Sequence, residues 1–380
     1  MGYWENRAQA RMDHAQQVAD EIELRVARAY QNAKGQIYSD IARMRKNFRK
    51  RFGLSYDEME QYLKEPCGRE EYLTLLERIK QLPEGDPVRV ALEAKASSGA
   101  YAFRISRMEA LLDEVKATLA QMAGNTEQLI EDHLRFTVKD SAARAMFDIQ
   151  QHTGVAWSYA GVNDRLVRQI VHEDWSGAGF SMRIWKNNEQ LSQTLSDVLT
   201  SGMMTGRSTK YMAEQLSERM NVPYQYARTM IRTETTHAVV QADLAAMEEA
   251  GIDKYEFNAI LDSITSDKCQ ELDGKVFRRI DAKTGVNLPP MHPNCRSIDT
   301  AWFDDEDYDR LTRAARDPIT GKTVQVPASM KYKDWIKLQR EKYGNEAIDR
   351  VLDDQKRETA RKSYERRKTR QQAAKTQQNG

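Results

Sequence analysis

The sequence predicts a mainly α protein: a long N-terminal helix and a helical bundle, then a small α+β C-terminal domain with a few short antiparallel strands. Three observations predict it. Apolar side chains recur at helical spacing through the N-terminal region. No proline interrupts the chain from Val88 to Val222. Alternation of apolar and polar residues begins only after Gly251, where the period changes from that of a helix to that of a strand.

The first element is read as one helix and stalk over 1–54. Ile22, Val26, Tyr30, Ala33, Ile37, Ile41, Met44, Phe48 and Phe52 follow steps of four, four and three. That eleven-residue repeat keeps one stripe on a nearly straight helix. Such a stripe packs either on its own domain or on another chain, and the stalk is the reading preferred. Gly53 ends it. The span 55–160 is read as a helical region, opening with a capped short helix from Ser55 to Leu63 and continuing in helices near 88–123 and 126–152. The span 161–252 carries helices near 163–173, 182–202, 208–220 and 224–250, with Pro223 at the first turn of the last. In 253–305, Tyr255, Phe257, Ala259 and Leu261 alternate, Lys275–Arg278 resumes as a strand, and Ile298, Thr300 and Trp302 alternate again. The result is a sheet of about three strands with a Cys/His loop at one edge. The span 306–355 holds a hairpin turn at 316–322 and a helix from about Lys333, and 356–380 is a polar, basic tail.

Charged residues make up 30% of the chain and the mean hydropathy is −0.75, so much of its length is solvated helix face. The net charge of +1 conceals local imbalance. Arg43, Arg45, Lys46, Arg49, Lys50 and Arg51 form a block without an acid. The tail from Lys356 adds Arg357, Arg361, Lys362, Arg366, Arg367, Lys368 and Arg370. Both segments are candidates for non-specific DNA contact through phosphate. Three cysteines, with Cys67 far from the others, argue against a disulfide framework and for synthesis in a reducing compartment. No apolar signal core, myristoylation signal or membrane-length apolar window is present, so the expectation is a protein made in the cytoplasm without membrane contact during assembly.

Chemistry concentrates in one loop. Cys269, His292 and Cys295 are a possible thiolate–imidazole set for zinc, held by Pro289, Pro290 and Pro293. A fourth ligand is not evident, with Asp262, Asp267, Asp273 and His237 the candidates. The preferred reading needs no cofactor: His292 and Cys295 pack and hydrogen-bond to hold an irregular loop, and Cys269 is a small buried hydrophobe. Gly321-Lys322-Thr323 ends like a phosphate-binding loop, but Arg316 stands where its first glycine is needed. Arg232 and Glu234 are read as anchoring their helix to the sheet through a partly buried ion pair. No complete catalytic set is found, so the protein is read as a non-enzyme. The alternative is a metal-dependent hydrolase or toxin-like enzyme using Cys269, His292 and Cys295 with Asp262 or Glu234.

In combination these residues resemble a known family. Arg232-Thr233-Glu234 on a helix and a Tyr255-x-Phe257 strand come first. Asp262, Cys269 and Leu272-Asp273-Gly274 follow, then Pro289-Pro290-x-His292-Pro293-x-Cys295-Arg296. The whole is similar to the phage head morphogenesis family, the Mu F-like minor head proteins of tailed bacteriophages. Gly206-Arg207-Ser208 with Met212, Ala213 and Leu216 upstream, and Met330-x-Tyr332-x-x-Trp335 downstream, extend the resemblance over roughly 160–340. One departure is that Ser297 stands where many members carry a further cysteine. The resemblance implies a minor capsid protein in the virion, inside the head near the portal vertex. Its implied partners are the portal and also scaffold or major capsid protein, and its implied work is procapsid assembly and DNA packaging or ejection. Some relatives are fused to toxin-like enzymatic domains.

Overall fold

A computed structural model describes residues 3–53, 55, 77–84, 89, 99–155, 159–204, 209–304, 312–355, 357–358 and 361. Residues 56–63 of the expected short helix, Cys67, Lys356 and the tail from Lys362 lie outside them. In chain order the elements are α1 (Tyr3–Phe52), α2 (Gly99–Thr153), α3 (Asp164–Val171), α4 (Phe180–Met204), α5 (Thr209–Glu249), β1 (Lys254–Asn258), α6 (Asp267–Leu272), β2 (Lys275–Arg278), β3 (Ile298–Ala301), β4 (Thr312–Arg316), β5 (Thr323–Pro327) and α7 (Tyr332–Tyr343). The protein is mainly helical with small antiparallel sheets at its C-terminal end, as the pattern predicts. No helix is long and apolar enough to cross a membrane among the described residues.

The chain divides into two compact units. One comprises 1–23, 129–180 and 228–380; the other comprises 24–128 and 181–227. Consecutive segments were the expectation from sequence, but α1, α2 and α5 each contribute residues to both units. Of the α1 stripe, Ile22, Val26, Ala33, Ile37 and Ile41 are buried within the chain. Trp4, Ala8, Met12 and Ala15 join a core with Met146, Val240, Tyr255 and Ile298, all in the first unit. Ala33, Ile37 and Ile41 pack with Leu119, Leu195 and Leu216 in the second.

Two helix boundaries read from sequence are overturned. Gly124 lies inside α2, and Pro223 lies inside α5 rather than at a helix start. Pro223 gives up one backbone hydrogen bond, a cost of about 3 kcal/mol in a helix interior. The apolar series Met212, Leu216, Met220, Ala227 and Ile231 stays buried across it, and that burial offsets the loss.

In the three-stranded sheet, order β2-β1-β3, both pairings are antiparallel. Tyr255 lies opposite both Phe277 and Ala301. The hairpin β4–β5 forms where the 316–322 turn is expected, and Asp317 closes it by accepting the N–H groups of Ile319 and Thr320 at 3.0 and 2.9 Å. A parallel bridge from Leu261 to Ala315 joins this hairpin to the segment after β1.

Candidate metal centre

Three backbone devices bring Cys269, His292 and Cys295 together. Ser266 caps α6, its hydroxyl accepting the Cys269 N–H at 3.3 Å. Gly274 ends that turn at φ +70°, donating its N–H to Phe257 O at 2.8 Å; an added Cβ would lie 2.8 Å from Lys331 Cε. Around the His292–Cys295 turn, Cys295 N–H donates to His292 O at 3.0 Å and Asn294 adopts φ 59°, a conformation asparagine tolerates. The Pro289–Pro290 bond is cis. Beneath the cysteines lie Phe257 and Ala259, so the loop covers the central strand rather than an outer edge of the sheet.

Cys269 Sγ is 3.8 Å from Cys295 Sγ and 3.5 Å from His292 Nε2. Zinc bonds of about 2.3 Å to sulfur and 2.0–2.1 Å to nitrogen give tetrahedral edges of about 3.8 Å between sulfurs and about 3.5 Å from sulfur to nitrogen. The donor set therefore fits zinc. His292 Nδ1 lies 3.0 Å from Pro293 O, so a proton on Nδ1 leaves the Nε2 lone pair facing the sulfurs, the tautomer a metal ligand needs. A hydrogen bond from the Cys295 thiol pulls Cys269 down to about 6 against the effect of burial, with Ser266, Ser297 and Lys268 assisting. The same hydrogen bond and burial push Cys295 up, so the pair favours one thiolate, on Cys269. No carboxylate joins the three donors among the described residues.

The acids expected as catalytic partners (Asp262, Glu234) or as a fourth ligand (Asp262, Asp273) are engaged elsewhere. Asp262, buried, takes a bidentate pair from Arg296 at 2.6 and 2.9 Å and caps the following turn through Ile264 N–H and Thr265 Oγ1. Asp273 accepts Ala259 N–H at 2.8 Å, Tyr332 N–H at 2.7 Å and Arg313 at 3.1 Å, joining the loop to β4 and α7. Glu234 accepts the Trp175 indole N–H at 3.0 Å.

The expected Arg232–Glu234 anchor is not formed. Two residues apart on a helix, these side chains diverge by about 200°. Arg232 pairs with Asp20 and Glu23 of α1, at 2.5 and 3.2 Å. The loop is held instead by threonines: Thr233 Oγ1 accepts Asn294 N–H at 3.0 Å, and Thr236 Oγ1 donates to Cys295 O at 3.3 Å. Thr235 meets His133 Nε2 at 2.8 Å, and His237 stacks on Trp175 and lies 3.1 Å from Glu173. Six consecutive residues, 232–237, thus serve α1, the Cys/His loop, α2 and the 172–180 loop. Sequence reasoning missed the threonines, although three β-branched residues in one helical turn, with little helix propensity to recommend them, were a signal.

The basic block is only partly available to DNA. Arg43 pairs with Asp40 and Glu114 at 2.8 and 2.9 Å and Arg45 is buried, while Lys46, Arg49 and Lys50 are exposed. Arg357 and Arg361 are also exposed. The side chain of Arg51 and residues Lys356, Lys362, Arg366, Arg367, Lys368 and Arg370 are outside the described set.

Residues 193–298, from within α4 to the start of β3, match the family described as Phage Mu protein F like protein. Residues 193–298 are a Mu F-like region. The match takes in the 232–237 turn, all three donors and the first two strands, and it stops short of α7. It supports a role in phage head morphogenesis. Among curated proteins, the chain is 24% identical over 186 residues to the NAD(+)–arginine ADP-ribosyltransferase EFV of Enterococcus faecalis. That stretch is 48% of this chain and 38% of the relative, so the chain spans well under half of that protein's length. No solved structure matches.

Proposed function

We propose that the protein is a structural, non-enzymatic minor capsid protein that binds the phage portal inside the head. In this reading it is made in the host bacterial cytoplasm, acts in procapsid assembly and in DNA packaging or ejection, and sits near the portal vertex. Contacts with scaffold or major capsid protein belong to the same reading. One observation carries it: the Mu F-like match spans residues 232–237, which bond to α1, α2, the Cys/His loop and the loop after α3. Co-expression with the portal protein tests it. Co-purification of the two, or recovery of the chain with procapsids, is the expected result; failure to associate with either contradicts it.

An enzymatic reading draws on the ADP-ribosyltransferase relative and on the His292 site. It lacks a general base at the donor set, since Asp262 and Glu234 are both committed to other partners. A metal-dependent activity abolished by His292→Ala would favour it. The Cys269, His292 and Cys295 donors are further proposed to hold one zinc ion that fixes the loop on β1. Elemental analysis of purified protein is expected to give one equivalent, absent after Cys295→Ser; metal-free protein of unchanged stability contradicts the proposal.

A further inference from the structure

Beneath the first turns of α1 lie two buried clusters with more carboxyl groups than side-chain cations. In one, Arg11 of α1 binds Asp243 of α5 through two hydrogen bonds, at 3.0 and 3.1 Å, and also contacts Asp148 of α2. Arg7, half exposed, is 3.5 Å from Asp148, and the Tyr3 hydroxyl donates to Asp148 O. Asp299 of β3 is the third carboxyl. It is 1% exposed, neither of its oxygens accepts a hydrogen bond among the described residues, and it faces Asp243, Arg11 and Tyr255. Three carboxyls thus meet two guanidiniums.

The second cluster repeats the imbalance. Glu5 of α1 lies 3.7 Å from Arg313 Nε, and its other oxygen has no partner among the described residues. Arg313 is already bound to Asp273, while Glu256 of β1 and Lys331 complete the set. Here three acids face the side chains of Arg313 and Lys331, with the N-terminal amino group a weaker, third cation.

We infer that docking of residues 3–23 of α1 is proton-coupled: each cluster holds one proton on its surplus carboxyl, and release of those protons loosens this segment from its seat. The rest of the seat combines apolar packing by Trp4, Ala8, Met12 and Ala15 with polar ties from Gln16, Asp20 and Glu23 to Arg228, Arg232 and Thr236, none of which neutralises the surplus carboxyls. Burial, with Asp243 alongside, raises Asp299 well above the usual carboxylate range; burial raises Glu5 to about 7. Both are higher docked than free. Their contribution is therefore complete in acid, below the free values, and declines as pH rises, up to about 7 for Glu5 and through the raised value of Asp299.

Hydrogen exchange of the full-length chain, as protection factors of amides in 3–23 against those of Thr233–Val240, tests this between pH 5 and 9. Protection of 3–23 is expected to fall by up to about tenfold per pH unit for each proton released. Glu5→Gln should remove its own cluster's share of the slope, which lies below about pH 7. Asp299→Asn should remove the share of the first cluster and raise protection where that carboxyl would otherwise ionise. Protection of 3–23 that is flat with pH in the native chain overturns the inference. So does an unchanged slope in either variant that folds, and each variant tests its own cluster if the other fails to fold.

Discussion

The two compact units are held in different ways. In the second, Ala33, Ile37, Ile41, Leu111, Leu119, Leu195, Leu199 and Leu216 make an almost purely aliphatic helical core. Its buried polar side chains, among the described residues, are few: Asp40, Arg45 and Thr126. The first unit buries Arg11, Asp148, Asp243, Asp262, Asp273, Asp299, Arg313, Glu234 and His237. Aliphatic packing supplies stability that tolerates exchange of one hydrophobe for another of similar volume. Buried polar groups favour only the arrangement in which most of them are paired, since an unpaired one is costly in a low-dielectric interior. The first unit therefore specifies positions, of loop, sheet and helix, where the second supplies bulk.

The comparison is tested hardest at Arg11. Arg11→Ala leaves Asp243 buried without its cation and Asp148 with only the half-exposed Arg7, and should destabilise by ~3–5 kcal/mol. In the aliphatic core, Leu195→Ala should cost ~2–5 kcal/mol, whereas Leu195→Met, which conserves volume, should cost less than ~1.5 kcal/mol. Urea unfolding followed by circular dichroism measures all three. If Arg11→Ala is as mild as Leu195→Met, the polar unit is not specified as argued.

A smaller effect is expected at the Cys/His loop. His292→Ala should lower stability by ~1 kcal/mol by removing its half-buried contact with Cys269 and its hydrogen bond to Pro293 O, and by more if zinc is bound. The added destabilisation should vanish in chelator-treated protein, which the same unfolding series reads directly.

Local pattern made part of this structure legible. The eleven-residue stripe foretold α1, and alternation marked β1, because burial on one face leaves a period in the sequence; β3, read the same way, is buried at all four positions. Gly251, Gly274 and the proline cluster marked the loop. What escaped was set by tertiary packing. Gly124 and Pro223 look like helix ends by propensity, yet packing carries α2 and α5 through them. Asp299, Asp243, Asp148 and Arg11 sit on four separate elements with no shared spacing, so only the fold gathers them. Within the site, Cys269, His292 and Cys295 were found from residue type, while Thr233 and Thr236 act through single backbone hydrogen bonds that no motif announces.

The weakest effect belongs to the basic tail. A chain ending at Gln355 should bind duplex DNA less tightly. The slope of log affinity against log salt should become shallower by about 0.9 for each phosphate that the tail neutralises. A gel-shift series across salt checks it; identical affinity and slope would show that the tail does not touch DNA.

The account rests on a position inside the phage head, and one image addresses it. In a cryo-EM reconstruction of the mature head without imposed portal symmetry, density for the helical body should lie inside the shell, against the portal. Density confined to the outer face of the shell, with none at the portal vertex, contradicts the account.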